Sequence, residues 1–156
     1  MRNEGGPGAA GEAGRRLARG VCRLLADHGY RTLCELPLGD GRRADVFAID
    51  RRGNILIVEV KSSLADFRAD GKWPAYLASC DRFAFAVPVE FPQAVLPEAA
   101  GLIVADAYGG AVIRPPMPAT ALPAARRKAL LLRFARTAAA RLQQSLDAAA
   151  ADRSAR

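Results

Sequence analysis

Two charged residues, Glu59 and Lys61, interrupt the run ILIVEVK at residues 55–61, which is otherwise apolar and largely β-branched. Side chains two apart along a strand share a face, so this carboxylate and this amine point the same way. A run so rich in Ile and Val reads as a central strand covered on both faces. An unpaired charge buried there costs several kcal/mol, so a compensating partner is required; a divalent cation or a phosphate is one. Asp45, near the head of ADVFAI at residues 44–49, is a second intrusion. If the turn carrying Gly53 holds an odd number of residues, Asp45 lies opposite Glu59 or Lys61 on the same face. An even number turns it away unless a bulge corrects it. Glu35, on the preceding strand, obeys the same rule across the turn GDGR at residues 39–42.

Such a set suits phosphodiester hydrolysis. Two carboxylates offer Mg²⁺ (or Mn²⁺) hard oxygen ligands and leave room for several waters. Asp45 and Glu59 are the candidate ligands, the Val60 carbonyl adds a third protein oxygen, and Glu35 is a further acid. A cation there neutralises charge on the scissile phosphate and activates water. Lys61 orients that water or stabilises developing charge, which completes a catalytic set of Asp45, Glu59 and Lys61. A structural alternative exists: a Glu–Lys ion pair at a strand end, and an Asp serving a turn. Three such intrusions on neighbouring buried strands favour the site, because active sites break local burial rules.

The elements that must position these residues follow from periodicity. Leu17, Val21, Leu24 and Leu25 recur at helical spacing and predict a helix over 11–28, with Arg15, Arg16, Arg19 and Arg23 elsewhere around it. Strands are predicted over 30–38, 44–49 and 55–61, joined by short turns into an antiparallel meander. Helical pieces fill 62–80, with Pro74 suited to a first turn. RFAFAV at 82–87 is another buried strand, a short helix lies within 91–100, and two more strands fall at 101–105 and 111–113. Pro115, Pro116 and Pro118 read as a stiff connector. A long amphipathic helix spans 122–151. The expected organisation is a flexible tail at 1–11, one α/β domain at 12–151, and a short tail at 152–156.

Composition narrows the function classes. The net charge of +7 draws polyanions, and nucleic acid is the commonest in cytoplasm. Cys22, Cys34 and Cys80 are widely spaced without a C-x-x-C pair, which argues against a disulfide framework or a zinc site and points to a reducing compartment. No apolar run approaches the roughly 18 residues of a membrane helix, so the expectation is a cytoplasmic protein without a membrane partner.

With Asp45 followed by Glu59-Val60-Lys61, the chain resembles the PD-(D/E)XK phosphodiesterase superfamily. More specifically, ELPLGDGRRADVFAI, ILIVEVKSSLADFRADGKWPAYLASCDRFAFAVP and GLIVADAYG resemble the bacterial MmcB family of DNA-repair endonucleases, over roughly residues 15–145. The resemblance implies a restriction-endonuclease-like core, metal binding by Asp45 and Glu59, and catalytic assistance from Lys61. It implies DNA as partner and leaves a homodimer or a repair-protein partner open. Two positions depart from the pattern. Ala44 replaces the superfamily's proline, and the first helix offers only Glu12, near its start, where relatives carry a glutamate near the end. Glu35 is the proposed substitute.

Around this centre, Lys72 can meet a phosphate and Tyr76 can stack on an unpaired base. Trp73 could stack likewise but reads rather as packing, and Asp66 and Asp70 could extend the acidic site but read rather as helix-capping or solvated residues. Arg126, Arg127 and Arg133 of the final helix are candidate backbone contacts; a merely solvent-facing arginine face is the alternative. The functional expectation is a metal-dependent DNA endonuclease in repair. Its rival is a noncatalytic nucleic-acid-binding or adaptor module on a nuclease-like scaffold.

Overall fold

A computed structural model describes residues 7–118 and 120–156. The chain falls into two compact units, Met1–Leu122 and Pro123–Arg156. The first contains α1 (Pro7–Asp27), β1 (Arg31–Pro37), β2 (Arg43–Ile49), β3 (Ile55–Val60), α2 (Leu64–Ala69), a 3-10 helix (Trp73–Ser79), β4 (Arg82–Val87), a short 3-10 turn (Gln93–Val95), β5 (Gly101–Ala105), β6 (Gly110–Arg114) and β7 (Met117–Pro118). The second is the helix α3 (Ala124–Ser154). Among the described residues no helix is long and apolar enough to cross a membrane.

One sheet runs in the order β1-β2-β3-β4-β5-β6, with β7 paired to β4. The meander β1-β2-β3 is antiparallel, as the short turns require. β4 runs parallel to β3, and β5 parallel to β4. Parallel neighbours need a crossover, and α2 with the following 3-10 helix supplies the first one. Residues 115–118 are not only a connector: β7 pairs with β4 at Arg82 and Phe83, beside the start of the β4–β5 ladder.

Each sheet face has its own core. On one, Leu17, Ala18, Val21 and Leu25 of α1 pack against Val46, Ala48, Val58, Ala84, Ala86 and Ile103. Each fully buried Leu or Val contributes roughly 2 kcal/mol, which anchors α1 across the strands. The other core is aromatic: Trp73 and Tyr76 stack on Phe83, and Phe67 meets Phe85 and Phe91 edge-on. Trp73 is therefore a packing residue, as predicted.

The helix boundaries differ from the periodicity at two places. Residues 1–6 of the expected tail lie outside the described residues, and residues 7–11 already belong to α1. Pro7 suits a first helical turn and Ala9 and Ala10 are strong helix formers, which the glycine-rich composition concealed. At the other end α3 reaches Ser154, beyond residue 151.

Gly20 decides how closely α1 approaches the sheet. A Cβ there would run into the Asp106 carbonyl oxygen and come within 2.8 Å of the Gly109 carbonyl oxygen. Both obstacles are backbone, so neither can swing aside. Gly20→Ala is expected to lose about 3 kcal/mol of stability despite alanine's better helix propensity. Thermal unfolding checks this; an unchanged or raised melting temperature would contradict the close approach.

Candidate active site

The turn between β2 and β3 occupies residues 50–54, an odd number, with Gly53 at φ 81°. The Asp50 carboxylate accepts from the Arg52 and Asn54 backbone N–H groups and from the Asn54 side chain, which locks the turn. The register then pairs Val46 with Val58, so Asp45 and Glu59 are the next opposed positions. Here the Asp45 N–H donates to Glu59 Oε1 at 3.1 Å, and the Val60 N–H donates to Asp45 Oδ2 at 2.8 Å. The two carboxyls are themselves in hydrogen-bonding contact. Glu59 is 3% exposed and Lys61 6%, the only buried charged residues among those described.

Burial, then repulsion from Asp45, pushes the Glu59 carboxyl up to about 9. Burial also raises Asp45, although the Val60 N–H and Glu59 hydrogen bonds act against it. Two carboxyls so close cannot both ionise cheaply, and without a cation they share a proton. Lys61 Nζ donates to Asp70 Oδ2 at 2.7 Å. Burial raises Asp70, but hydrogen bonds from Lys61 and the Lys72 N–H outweigh it and leave the carboxyl below its ordinary range. Asp66 closes the first turn of α2 reciprocally: its N–H donates to Ser63 Oγ, and its Oδ2 accepts from the Ser62 N–H.

A cavity of about 540 Å³ opens over this group. Asp45, Glu59, Val60, Lys61 and Asp66 line one side, Arg15, Ala18 and Arg19 of α1 another, and Cys34, Glu35 and Arg43 a third. Neighbouring residues of a regular strand face opposite ways, yet Cys34 and Glu35 both reach this cavity. Glu35 itself lies at φ 53°, a left-handed conformation that costs a non-glycine residue about 1–2 kcal/mol.

Among the described residues no group of three or more His, Cys, Asp or Glu side chains is arranged to hold a metal ion. The donor chemistry of the Asp45–Glu59 pair nevertheless fits a hard divalent cation. Mg²⁺ typically takes one or two carboxylates and keeps several waters, and a cation offsets the burial that raises both acids and the repulsion that Asp45 exerts on Glu59.

The family described as "DNA repair protein MmcB-like" matches residues 6–149. The chain belongs to the MmcB-like family of DNA repair proteins. Its sequence resemblance to MmcB is thus carried by nearly the whole chain. A solved structure, the SPO1766 protein of unknown function from Silicibacter pomeroyi, shares 47% identity over 86% of this chain and 92% of that chain, with a TM-score of 0.83. A repair endonuclease from Pyrococcus abyssi matches at 22% identity, 46% of this chain and 34% of that chain, with a TM-score of 0.33. No curated protein matches the chain.

In this MmcB-like protein Asp45, Glu59, Val60 and Lys61 come together. Glu35 reaches the same cavity, but its Oε1 faces Arg43 at 3.6 Å. Glu12 pairs with Arg15 and Arg16 on α1 and is not among the lining residues. Lys72 is exposed just before the 3-10 helix, outside the lining. Tyr76 is half-buried, its ring stacked on Phe83 and its hydroxyl donating to the Arg43 carbonyl. Arg126, Arg127 and Arg133 lie on α3, in the second unit. Arg15, Arg19 and Arg43 were not singled out for the site by sequence, and Asp70 was read there as capping or solvated rather than as a partner of Lys61. Arg43 had a usable signal, two residues before Asp45 on one strand.

Proposed function

We propose that this chain is a Mg²⁺- or Mn²⁺-dependent DNA endonuclease acting in repair, hydrolysing phosphodiester bonds at Asp45, Glu59 and Lys61. The observation that carries the reading is the Asp45–Glu59 pair on adjacent strands, Glu59 buried and Asp45 half-buried, next to a buried lysine and beneath an open cavity. Membership of a DNA repair family supports DNA as the substrate.

Asp45, Glu59 and the Val60 carbonyl would hold the cation, whose contribution when bound is charge neutralisation at the scissile phosphate. The protein's own parts do the rest. The Val60 and Asp45 N–H groups fix the two carboxyls, so little reorganisation is needed. Asp70 takes one of the three Lys61 donors, leaving two for a phosphate oxygen or the attacking water. Asp70 thereby positions Lys61 without touching substrate. Arg15, Arg19 and Arg43 along the cavity are suited to the flanking phosphates, and Lys72 is a further candidate in the same unit; Arg126, Arg127 and Arg133 are separate candidates for phosphate contact on α3.

The test is cleavage of single-stranded, duplex and branched DNA by the full chain with Mg²⁺ or Mn²⁺, against the same reactions in excess EDTA. Cation-dependent products of defined length are expected. A folded protein that binds Mn²⁺ yet cuts none of these forms would overturn the catalytic reading and favour the noncatalytic module.

A further inference from the structure

Cys22 on α1 and Cys34 on β1 bring their sulfurs within 3.6 Å of each other. Both are half-buried, at the margin of the α1-side core, where a reagent can reach them. Cys34 also lines the cavity over Asp45 and Glu59. The third cysteine, Cys80, is wholly buried and its thiol donates to the Tyr76 carbonyl at 3.4 Å. Packing alone explains a cysteine as a small apolar side chain. It does not explain two half-exposed thiols in direct contact between a helix and a strand. The sulfurs stand roughly 1.5 Å beyond the bond length of about 2.05 Å.

We propose that Cys22 and Cys34 form a reversible redox site that closes to a disulfide when the protein meets a hydroperoxide. The Cys22 thiolate attacks one peroxide oxygen: an S–O bond forms, the O–O bond breaks, and the departing alkoxide or hydroxide takes a proton. Cys22 is then a sulfenic acid. Cys34 loses its proton and attacks Cys22 Sγ; the S–S bond forms, the S–O bond breaks, and hydroxide leaves as water with that proton. Two thiols and one hydroperoxide give one disulfide, one alcohol or water, and one water. Cys22 suits the attacking role: its hydrogen bond with Cys34 draws the thiol down to about 6, against the upward push of burial, and Thr32 assists. Cys80, pushed up to about 12 by burial and the neighbouring Asp81 charge, is an internal control.

The site is independent of the nuclease reading, and so is its test. The full chain is treated with one equivalent of hydrogen peroxide, its remaining thiols are alkylated, and a tryptic digest is mapped by mass spectrometry without reduction. Peptide 20–23 is expected joined to peptide 32–42, with peptide 73–82 alkylated and the link lost on reduction. A non-reducing gel should hold the protein at monomer mass. In Cys34→Ser the attacking partner is gone, and a dimedone adduct on Cys22 should appear in place of the link. Full alkylation of Cys22 and Cys34 after peroxide, a link to Cys80, or a link between two chains would overturn the proposal.

Discussion

In Glu59→Gln, cation-dependent DNA cleavage falls by about a thousandfold, while the metal-free protein melts higher than the wild type at pH 8. The loss follows from removing one of two anionic ligands: metal assistance is worth several kcal/mol of transition-state stabilisation, and each 1.36 kcal/mol is a factor of ten. The gain follows from the same substitution. Glutamine Oε1 still accepts from the Asp45 N–H, and its amide can donate to the Asp45 carboxylate as the protonated Glu59 does, without the cost of taking up a proton on folding at pH 8. A purely structural ion pair predicts the reverse sign for stability, since losing one partner strands the other. Single-turnover cleavage and thermal melts of both proteins in EDTA make the comparison. Activity retained within tenfold of the wild type, or a variant melting below it, removes Glu59 from its assigned role.

The centre was legible in sequence because it breaks the rule its own strand establishes. Glu59 and Lys61 stand out only against Ile55, Leu56, Ile57 and Val58, and the strand is indeed buried along its whole length. Asp45 could be placed only conditionally, because the face it shares depends on the parity of the β2–β3 turn. The five residues held by Asp50 settle that parity, and no periodicity within the strands encodes it. The arrangement around the centre was hidden for other reasons. Asp70 reaches Lys61 across a short helix and a non-helical C-cap, so no spacing rule links them. The left-handed turn of the chain at Glu35 has no signature in a strand-like run. Glu35 there faces Arg43 at 3.6 Å. The aromatic face was legible only in part. Trp73 read correctly as packing, but Tyr76 depends on a tertiary stack with Phe83 that local pattern does not reveal.

Without a divalent cation the protein is expected to lose stability steadily from about pH 5 to pH 9, and Mn²⁺ should abolish most of that slope. Glu59 ordinarily titrates at 4.5 and is pushed up to about 9 in the fold, chiefly by burial and then by Asp45. Across that window the folded chain holds a proton that the unfolded chain has released. Raising the pH therefore favours unfolding, by up to about 3 kcal/mol between pH 4 and pH 7 for this one group. A cation competes for the site the proton occupies, so binding should release about one proton. Its affinity should then rise about tenfold per pH unit until the pH nears 9. Other carboxylates titrate too, so the informative quantity is the difference between wild type and Glu59→Gln, whose metal-free melting curve should be flatter over the same range. Calorimetric titration with Mn²⁺ in buffers of different ionisation enthalpy counts the protons directly. Equal melting temperatures at pH 5 and pH 8.5 for the metal-free wild type, with Mn²⁺ affinity independent of pH, would mean that the two carboxyls do not share a proton and that no cation is needed to keep them together.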